Sequence, residues 1–308
     1  MRYHTNHYLV AFHSIPGIGS KRLAKILYGF KRCEDAWSAS PGDFIMAGIE
    51  PAVAEQLVRE RAKIDLAGLA QKLNDQGIAA VCITDSDYPP LLKNMAYPPT
   101  LLYRRGLFHD RPRLAVVGTR KISAYGQTVC QRLVPDLAQR GVTIVSGLAF
   151  GVDSAAHTAA LNADGITWAV LASGLDMEHV FPRSQTRLAR HILSSGGCLI
   201  SEYPPGTNAL KQHFPLRNRI IAGLCLGTLV IEAPLSSGAL ITAFAALENN
   251  REVFAVPGDI VRLTSQGTNK LIQLGAIPVT DAADILTALR LNSDKPQQKA
   301  LEDRKSVV

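Results

Sequence analysis

The residues best suited to chemistry lie within nine positions, from Lys211 to Arg219. They are three cations, a side-chain amide and an aromatic ring: Lys211, Phe214, Arg217, Asn218 and Arg219. Guanidinium and ammonium groups bind phosphates, while an aromatic face stacks on an unpaired base. This combination predicts contact with single-stranded nucleic acid, because the bases of a duplex have no free faces. The alternative is that the ring belongs to the core and the two arginines lie on the surface of a helix start.

A second candidate cation is Arg120, which follows an apolar run (114–117) and Gly118. The chain has no G-x-G-x-x-G pattern here, since Arg120 stands where a dinucleotide-binding turn has its second glycine. A bulky cation obstructs the approach of the backbone to a pyrophosphate, but as a forked donor it can bind one phosphate directly. No acidic residue follows the next apolar run, which ends at Val145. We therefore set aside a dinucleotide-dependent oxidoreductase.

These candidates must be positioned by alternating strands and helices. An apolar run meets Gly118, an amphipathic segment covers 124–140, and a second apolar run (142–145) meets Ser146 and Gly147. This order is typical of a doubly wound parallel sheet, whose carboxyl edge binds ligands. The helix starts that follow offer unpaired N–H groups to anions, so the two turns are candidate phosphate contacts. The alternative is that both glycines form ordinary strand-end turns.

The same alternation continues along the chain. It predicts strands at 166–171, 199–200, 226–231 and 253–256, and helices at 184–193, 238–249, 271–274 and 282–291. We therefore predict an α/β domain over residues 80–291. Residues 1–79 are predicted to form a small all-helical domain with a further helical stretch at 51–76, and residues 292–308 a polar, disordered tail.

A turn in the helical part, Pro16-Gly17-Ile18-Gly19, precedes a helix that we expect Ser20 to cap. The turn resembles a helix-hairpin-helix motif, in which the glycine backbone approaches a phosphate. Gly17, Gly19, Lys21 and Lys25 are therefore candidates for a secondary DNA contact. The alternative is a corner of a helical bundle with lysines on its surface.

The composition of the whole chain narrows the class of protein. The chain has 308 residues, 47% of them hydrophobic, and a net charge of +7 that favours a polyanionic partner. We see neither an apolar run of about 18 residues nor the apolar core of a signal peptide, so we expect a cytoplasmic protein without a membrane span. The 5 cysteines are scattered and form no C-x-x-C pair, so we expect neither disulfides nor a metal site. We also expect no cofactor.

Many separated motifs, each weak alone, agree in order over residues 80–290. They are Gly118-Thr119-Arg120, Ser123-x-Tyr125-Gly126, Ser146-Gly147-Leu148-Ala149-x-Gly151-Val152-Asp153 with His157, Glu202-Tyr203-Pro204-Pro205-Gly206, Phe214-Pro215-x-Arg217-Asn218-Arg219, Glu232-Ala233 with Ser237-Gly238-Ala239, and Gly267-Thr268-Asn269. Together they resemble the DNA-processing protein A (DprA, or Smf) family.

The resemblance implies an extended Rossmann-like domain that binds single-stranded DNA and acts as a homodimer. It also implies that the protein protects incoming DNA and loads the RecA recombinase onto it during natural transformation. The basic pocket of the family matches Arg120, Lys211 and Phe214, whereas Ser123 and the other motif residues carry less weight. Many members add a C-terminal winged helix, and only a short tail follows Leu291 here, so the function of that module is in doubt.

The competing class is an enzyme of the related phosphoribohydrolase-like fold, acting on a nucleotide or sugar phosphate. Asp153, His157 and Glu232 are its conceivable acid–base groups. However, Asp153 and His157 lie four positions apart on one helix and are equally explained as a capping and packing pair. The turn at 236–240 also lacks the glutamate that the enzyme group carries. We therefore predict a binding protein without catalytic residues.

One further apolar face lies near the end of the predicted domain. Leu271, Ile272 and Leu274 are our candidates for the dimer contact. The alternative is that this face packs onto the sheet, which is common for a terminal helix.

Overall fold

The computed structural model describes residues 5–291, which begin with helices. These are α1 (Thr5–Ser14), α2 (Ser20–Gly29), α3 (Cys33–Ser38), α4 (Pro41–Met46), α5 (Pro51–Arg61) and α6 (Leu66–Asp75). The stretch predicted at 51–76 is therefore two helices, and Asp65 caps the second by accepting a hydrogen bond from the Ala67 N–H. The predicted cap at Ser20 is wrong by one position, because Ser20 is already the first helical residue. Its hydroxyl oxygen instead accepts from the backbone N–H of Thr100 at 2.8 Å.

Nine strands within the described residues form one mixed sheet. They are β1 (Ile78–Cys82), β2 (Leu101–Gly106), β3 (Arg113–Val117), β4 (Thr143–Ser146), β5 (Thr167–Leu171), β6 (Cys198–Ser201), β7 (Gly227–Val230), β8 (Glu252–Ala255) and β9 (Ile277–Pro278). Their order is β1-β2-β6-β5-β4-β3-β7-β8-β9. Strand β2 pairs antiparallel with both β1 and β6, and the other pairs are parallel. Strands β3 to β7 are buried throughout, which explains their short, largely apolar sequences.

Helices cover both faces of the parallel part. They are α7 (Pro90–Lys93), α8 (Ala124–Gln139), α9 (Val152–Asn162), α10 (Thr186–Ser194), α11 (His213–Gly223), α12 (Gly238–Glu248), α13 (Gln266–Gln273) and α14 (Ala282–Ala288). Leu114 and Val116 of β3 share a buried cluster with α8, α9 and α14. Ala115 and Val117 share another with α11 and α12, as expected for side chains that alternate along a strand. The predicted doubly wound α/β fold is confirmed.

The parallel strands change their direction of growth between β3 and β7. From β3 the sheet extends through β4, β5 and β6, and the chain then returns to place β7 on the other side of β3. Connections that leave these two strands therefore diverge to opposite sides and open a crevice at the carboxyl edge. This topological switch point is where open α/β sheets bind ligands.

The N-terminal helices pack against the antiparallel edge of the sheet. Phe12 and Leu23 belong to the same buried cluster as Leu101 and Tyr103 of β2. His13 is also buried there, and its Nδ1 lies 3.1 Å from the Tyr103 hydroxyl. Residue 80 therefore marks a change of architecture within a continuous core, and the division into two domains stays a prediction.

Three general features complete the description. No helix of residues 5–291 has the length and apolar character needed to cross a membrane. The same residues contain no group of three or more His, Cys, Asp or Glu side chains that can hold a metal ion. All five cysteines are buried and free. The predicted tail at 292–308 lies outside the described residues.

Candidate nucleic-acid interface

A crevice of about 360 Å³ lies at the switch point of the sheet. The turn after β3 forms one wall with Arg120, the start of α11 forms a second with Phe214 and Asn218, and the start of α12 forms a third with Ser237. Two of the segments singled out in the sequence, 118–120 and 214–218, are thus brought together. The structure places them at the edge where this class of sheet binds ligands.

Arg120 and Phe214 form the exposed side of the crevice. The guanidinium carbon of Arg120 lies 5.2 Å from the centroid of the Phe214 ring, within the range of a cation–π contact. Arg120 is exposed, and none of the described residues accepts a hydrogen bond from its guanidinium. The ring of Phe214 is half-buried. The pair therefore presents a free forked donor beside an aromatic face.

Arg217 lies beneath this pair and is only 4% exposed. Its guanidinium donates to the carbonyl oxygens of Gly147, at 2.6 Å, and of Val170, and its Nε donates to Asn218 Oδ1 at 3.1 Å. Burial, with a smaller effect from the charge of Arg120, lowers the pKa of Arg217 to about 10, and the nearby Asp153 opposes the shift. Arg217 therefore holds α11 against the turn after β4 and strand β5, and its contact with a phosphate stays a prediction.

The turn after β4 is likewise closed to a ligand. Ser146 is buried, and its hydroxyl donates to the carbonyl oxygen of Val116 at 2.6 Å. The carboxylate of Asp153 accepts from the backbone N–H groups of Gly147 and Ala149, at 3.1 and 3.3 Å. A phosphate would need these same N–H groups, so the chain already fills the anion site of this turn. Ser146 and Gly147 are therefore engaged within the chain, and their contact with DNA stays a prediction.

Glu232 fills the corresponding place beneath the turn after β3. Its carboxylate accepts from the Ser123 N–H at 3.0 Å, the Ser123 hydroxyl at 2.6 Å and the Thr264 hydroxyl at 3.0 Å. The Ser123 hydroxyl oxygen in turn caps α8 by accepting from the Gly126 N–H. A side chain at Gly118 would collide with Val152, so the turn is tightly packed. Ser123 is a member of this network, and its contact with DNA stays a prediction.

The conceivable acid–base groups are also held in the interior. His157 is fully buried, its Nδ1 lies 2.6 Å from the Thr167 hydroxyl, and burial lowers its pKa to about 3. Burial raises the pKa of Asp153, which Arg217 and two backbone N–H groups oppose. His157 thus joins α9 to β5, and Asp153 joins α9 to the turn after β4.

The remaining candidate residues near the start of α11 differ in whether their side chains have partners within the chain. Lys211 is exposed, two positions before the helix, and no described residue pairs with its ammonium group. The side-chain N–H of Asn218 donates to the Gly238 carbonyl oxygen at 3.2 Å, which links α11 to the start of α12. Arg219 forms an ion pair with Glu202 at 2.5 Å and donates to the Tyr97 carbonyl oxygen. Lys211, like Arg120, is therefore an exposed cation without a partner among the described residues, whereas the charge of Arg219 is balanced by Glu202.

An aromatic residue that sequence reasoning missed adjoins the crevice. Phe181 is 47% exposed, and its ring centroid lies 5.9 Å from that of Phe214 in an edge-on arrangement. The segment after β5 that carries it is held in place because Asp176 accepts from the Gly206 N–H at 2.8 Å. Phe181 adds an exposed ring beside the half-buried ring of Phe214. In the sequence it appears only as a single aromatic residue before Pro182, which does not indicate this contact.

A comparison with known families decides which group of proteins shares this site. Residues 79–290 match the family model described as DNA recombination-mediator protein A. The chain belongs to this family. The resemblance recognised in the sequence is thereby confirmed, and the matched range begins in β1 and includes all the walls of the crevice.

Members of the DNA recombination-mediator protein A family match over most of the chain. The DNA processing protein DprA of Bacillus subtilis is 38% identical over 264 residues, which cover 82% of this chain and 88% of the relative. Protein Smf of Escherichia coli is 48% identical over 205 residues, which cover 66% of this chain and 54% of that protein.

Solved structures of the family show the same architecture. The X-ray structure of DprA from Streptococcus pneumoniae matches with a TM-score of 0.78 and 36% identity, covering 93% of this chain and 98% of that one. A structure of DNA processing protein A from Helicobacter pylori, described for its unique single-stranded DNA binding mode, matches with a TM-score of 0.62 and 27% identity. It covers 69% of this chain and 95% of its own.

The predicted secondary site near the N-terminus is less available than the sequence indicates. Gly17 has a positive φ of 85°, and the Pro16–Gly19 segment makes the expected turn. However, Lys25 donates to the Gly48 carbonyl oxygen, and the ammonium of Lys21 lies 5.7 Å from the Tyr97 ring centroid. The lysines thus have partners within the chain, and a DNA contact here stays a prediction.

The predicted dimer face divides into an inner and an outer part. Leu271 is 2% exposed and belongs to the core beneath α13, whereas Leu274 is 58% exposed. Ile272 is half-buried and packs against the same core. Leu274 is therefore the accessible residue of the predicted face, and the dimer contact stays a prediction.

Proposed function

We propose that the protein binds single-stranded DNA without sequence preference at the switch-point crevice. The observation that carries the proposal is the exposed pair of Arg120 and Phe214, whose free guanidinium and aromatic face lie 5.2 Å apart. One group suits a phosphate and the other an unpaired base, and every base has a face on which to stack. Lys211, which precedes the helix α11 that carries Phe214, adds a further unpaired cation.

The interior of the site supports binding through side chains rather than backbone. Asp153 and Glu232 occupy the N–H groups and hydroxyls at the ends of β4 and β3, where a dinucleotide fold holds its pyrophosphate. Attraction of the backbone phosphates then rests on Arg120 and Lys211, which predicts a clear dependence on salt. The same arrangement gives little support to the alternative of a nucleotide or sugar-phosphate enzyme.

The finer role rests on the family. The matched model is described as a recombination mediator, and the H. pylori relative is described with a single-stranded DNA binding mode. We infer that this protein acts in the cytoplasm as a homodimer, protects incoming single strands and loads the RecA recombinase onto them during natural transformation. Addition of the protein to RecA and to DNA coated with single-strand-binding protein is expected to shorten the lag in the RecA ATPase, and an unchanged lag contradicts this role.

The test of DNA binding itself is a fluorescence anisotropy titration. A labelled oligothymidylate and a blunt duplex of equal length are compared at two salt concentrations. We expect tighter binding of the single strand and weaker binding of both DNAs at higher salt, with a log–log slope per neutralised phosphate of about 0.7 for the single strand and about 0.9 for the duplex. Equal affinity for the two DNAs contradicts the proposal.

A further inference from the structure

A second cavity, a groove of about 890 Å³, lies on the other face of the sheet from the crevice. Helices α8 and α9 form two of its walls, and the start of α10 with the segment before it forms the third. The crevice, in contrast, is formed by α11 and α12, which cover the opposite face. The groove is therefore separate from the proposed primary site and more than twice its volume.

The lining of the groove suits a nucleic-acid strand. None of its residues is acidic, and it holds one cation, Arg187, and one imidazole, His191. Four side-chain amides also line it, Gln127, Gln131, Asn162 and Gln185, and they form no side-chain hydrogen bond with any described residue. The guanidinium of Arg187 is likewise exposed and unpaired. Side-chain amides offer hydrogen-bond donors and acceptors to base edges, and the guanidinium of Arg187 offers a positive charge to a phosphate.

The groove begins where the crevice ends. Ala149 lines the crevice and Gly151 lines the groove, so the turn after β4 separates the two cavities by a single residue, Phe150. Phe150 is 47% exposed. An exposed aromatic side chain thus lies between the two cavities, where a DNA strand that occupies both has to pass. The segment before α10 makes a second link between the cavities, because Ser184 lines the groove and follows Phe181, which contacts Phe214 of the crevice, by three positions.

We propose that a single DNA strand bound in the crevice continues over Phe150 and enters the groove between α8, α9 and α10. The inference rests on the proposed function, since the crevice holds the first nucleotides of the path. The groove then acts as an extension of the site, with base stacking on Phe150 and a phosphate contact to Arg187. Short oligonucleotides fill the crevice alone, whereas longer ones occupy both cavities.

The test introduces one charge into the groove and compares strand lengths. Thr158 is exposed on α9 and lines the groove. Thr158→Glu places a carboxylate there, and Thr158→Gln is a neutral control of the same shape. With an oligothymidylate of about 16 nucleotides, the upper end of known single-strand sites, we expect Thr158→Glu to bind about fivefold more weakly than Thr158→Gln. With one of about 4 nucleotides, the two variants are expected to bind alike.

Two further comparisons make the result specific. Arg187→Ala is expected to reduce the salt slope for the long oligonucleotide by about 0.7, whereas Arg190→Ala, on the same helix but outside the groove, leaves it unchanged. Phe150→Ala is expected to weaken long-strand binding, and Phe150→Tyr to retain it. If the Thr158 variants bind the long strand alike while wild type still binds the short strand, the groove is not part of the path. Failure of wild type to bind either strand overturns the proposed function instead.

Discussion

The guanidinium of Arg217 donates a hydrogen bond of 2.6 Å to the carbonyl oxygen of Gly147. This bond joins α11, which carries Phe214, to the turn after β4. The guanidinium carbon of Arg217 lies 5.9 Å from the centroid of the Phe214 ring, and that of Arg120 lies 5.2 Å from the same centroid. The position of the exposed pair therefore depends on a cation that is itself inaccessible.

Replacing Arg217 is expected to cost stability. Arg217→Ala removes a positive charge that favours the buried carboxylate of Asp153, and it removes the hydrogen bonds that the guanidinium donates to two carbonyl oxygens. Hydrogen bonds to charged groups contribute about 1.5–3 kcal/mol each, so we expect a loss of about 3 kcal/mol in the free energy of unfolding. Urea denaturation followed by circular dichroism measures this loss. Wild-type stability combined with weak DNA binding would instead identify Arg217 as a direct DNA contact.

Phe214→Ala is expected to weaken DNA binding more than folding. The ring is half-buried at the surface of α11, so its loss removes a stacking face worth about 1–3 kcal/mol of binding free energy. Anisotropy with an oligothymidylate measures the affinity, and Phe214→Tyr serves as a control that keeps the aromatic face. The melting temperature of each variant is measured in parallel, and its collapse in Phe214→Ala argues that the ring acts in the core.

Arg120 offers a direct test of the electrostatic contribution. Arg120→Ala is expected to lower affinity and to reduce the slope of log affinity against log salt by about 0.7, as for one phosphate contact. Arg120→Lys restores the charge without the fork and recovers part of the affinity. The matched control is Arg140→Ala, which removes an exposed charge at the far end of α8, at the opposite edge of the sheet. Equal effects of the two alanine variants contradict a local contact.

Local patterns in the sequence were sufficient to predict the elements and the edge of the sheet that carries the site. The helix predicted at 124–140 is Ala124–Gln139, and the run at 114–117 lies within Arg113–Val117. These predictions succeeded because buried parallel strands have continuous apolar runs, and their glycine turns meet at one edge. Arg120 and Phe214 were brought together by this topology.

The different roles of neighbouring cations were not predictable in this way. Lys211, Arg217 and Arg219 appear equivalent in the sequence, yet the first is free, the second is buried and the third is paired with Glu202. The difference arises from tertiary packing, because Lys211 lies before α11 while Arg217 and Arg219 meet separate partners from other segments of the chain. For the same reason the pairing of Phe181 with Phe214 was missed, because the two rings come from separate segments.

Self-association is expected to depend on Leu274 and not on Leu271. Leu274→Glu places a charge on an exposed position after α13, so we expect a folded protein that sediments as a monomer where wild type is a dimer. Leu271→Glu buries a charge in the core and is expected to unfold the protein. Sedimentation velocity with circular dichroism distinguishes these outcomes. A folded Leu274→Glu variant that remains dimeric places the interface elsewhere.

Two buried histidines predict a loss of stability in mild acid. Burial lowers the pKa of His13 to about 4 and that of His157 to about 3. In the unfolded chain both return to an ordinary value near 6.5. As the pH falls below about 6.5, the unfolded chain therefore takes up protons that the folded chain does not. Each histidine then lowers the free energy of unfolding by about 1.4 kcal/mol per pH unit until the pH approaches its folded pKa.

Replacing one of these groups is expected to reduce the pH dependence by one proton. His157→Gln keeps a donor and acceptor near the Thr167 hydroxyl but does not titrate, so its free energy of unfolding is expected to fall less steeply between about pH 6 and 4.5, by about 1.4 kcal/mol per pH unit. Urea unfolding at several pH values measures the slope. The wild type, measured over the same pH range, is the reference for this slope. An unchanged slope in His157→Gln shows that its ring is not the group that resists protonation in the folded chain.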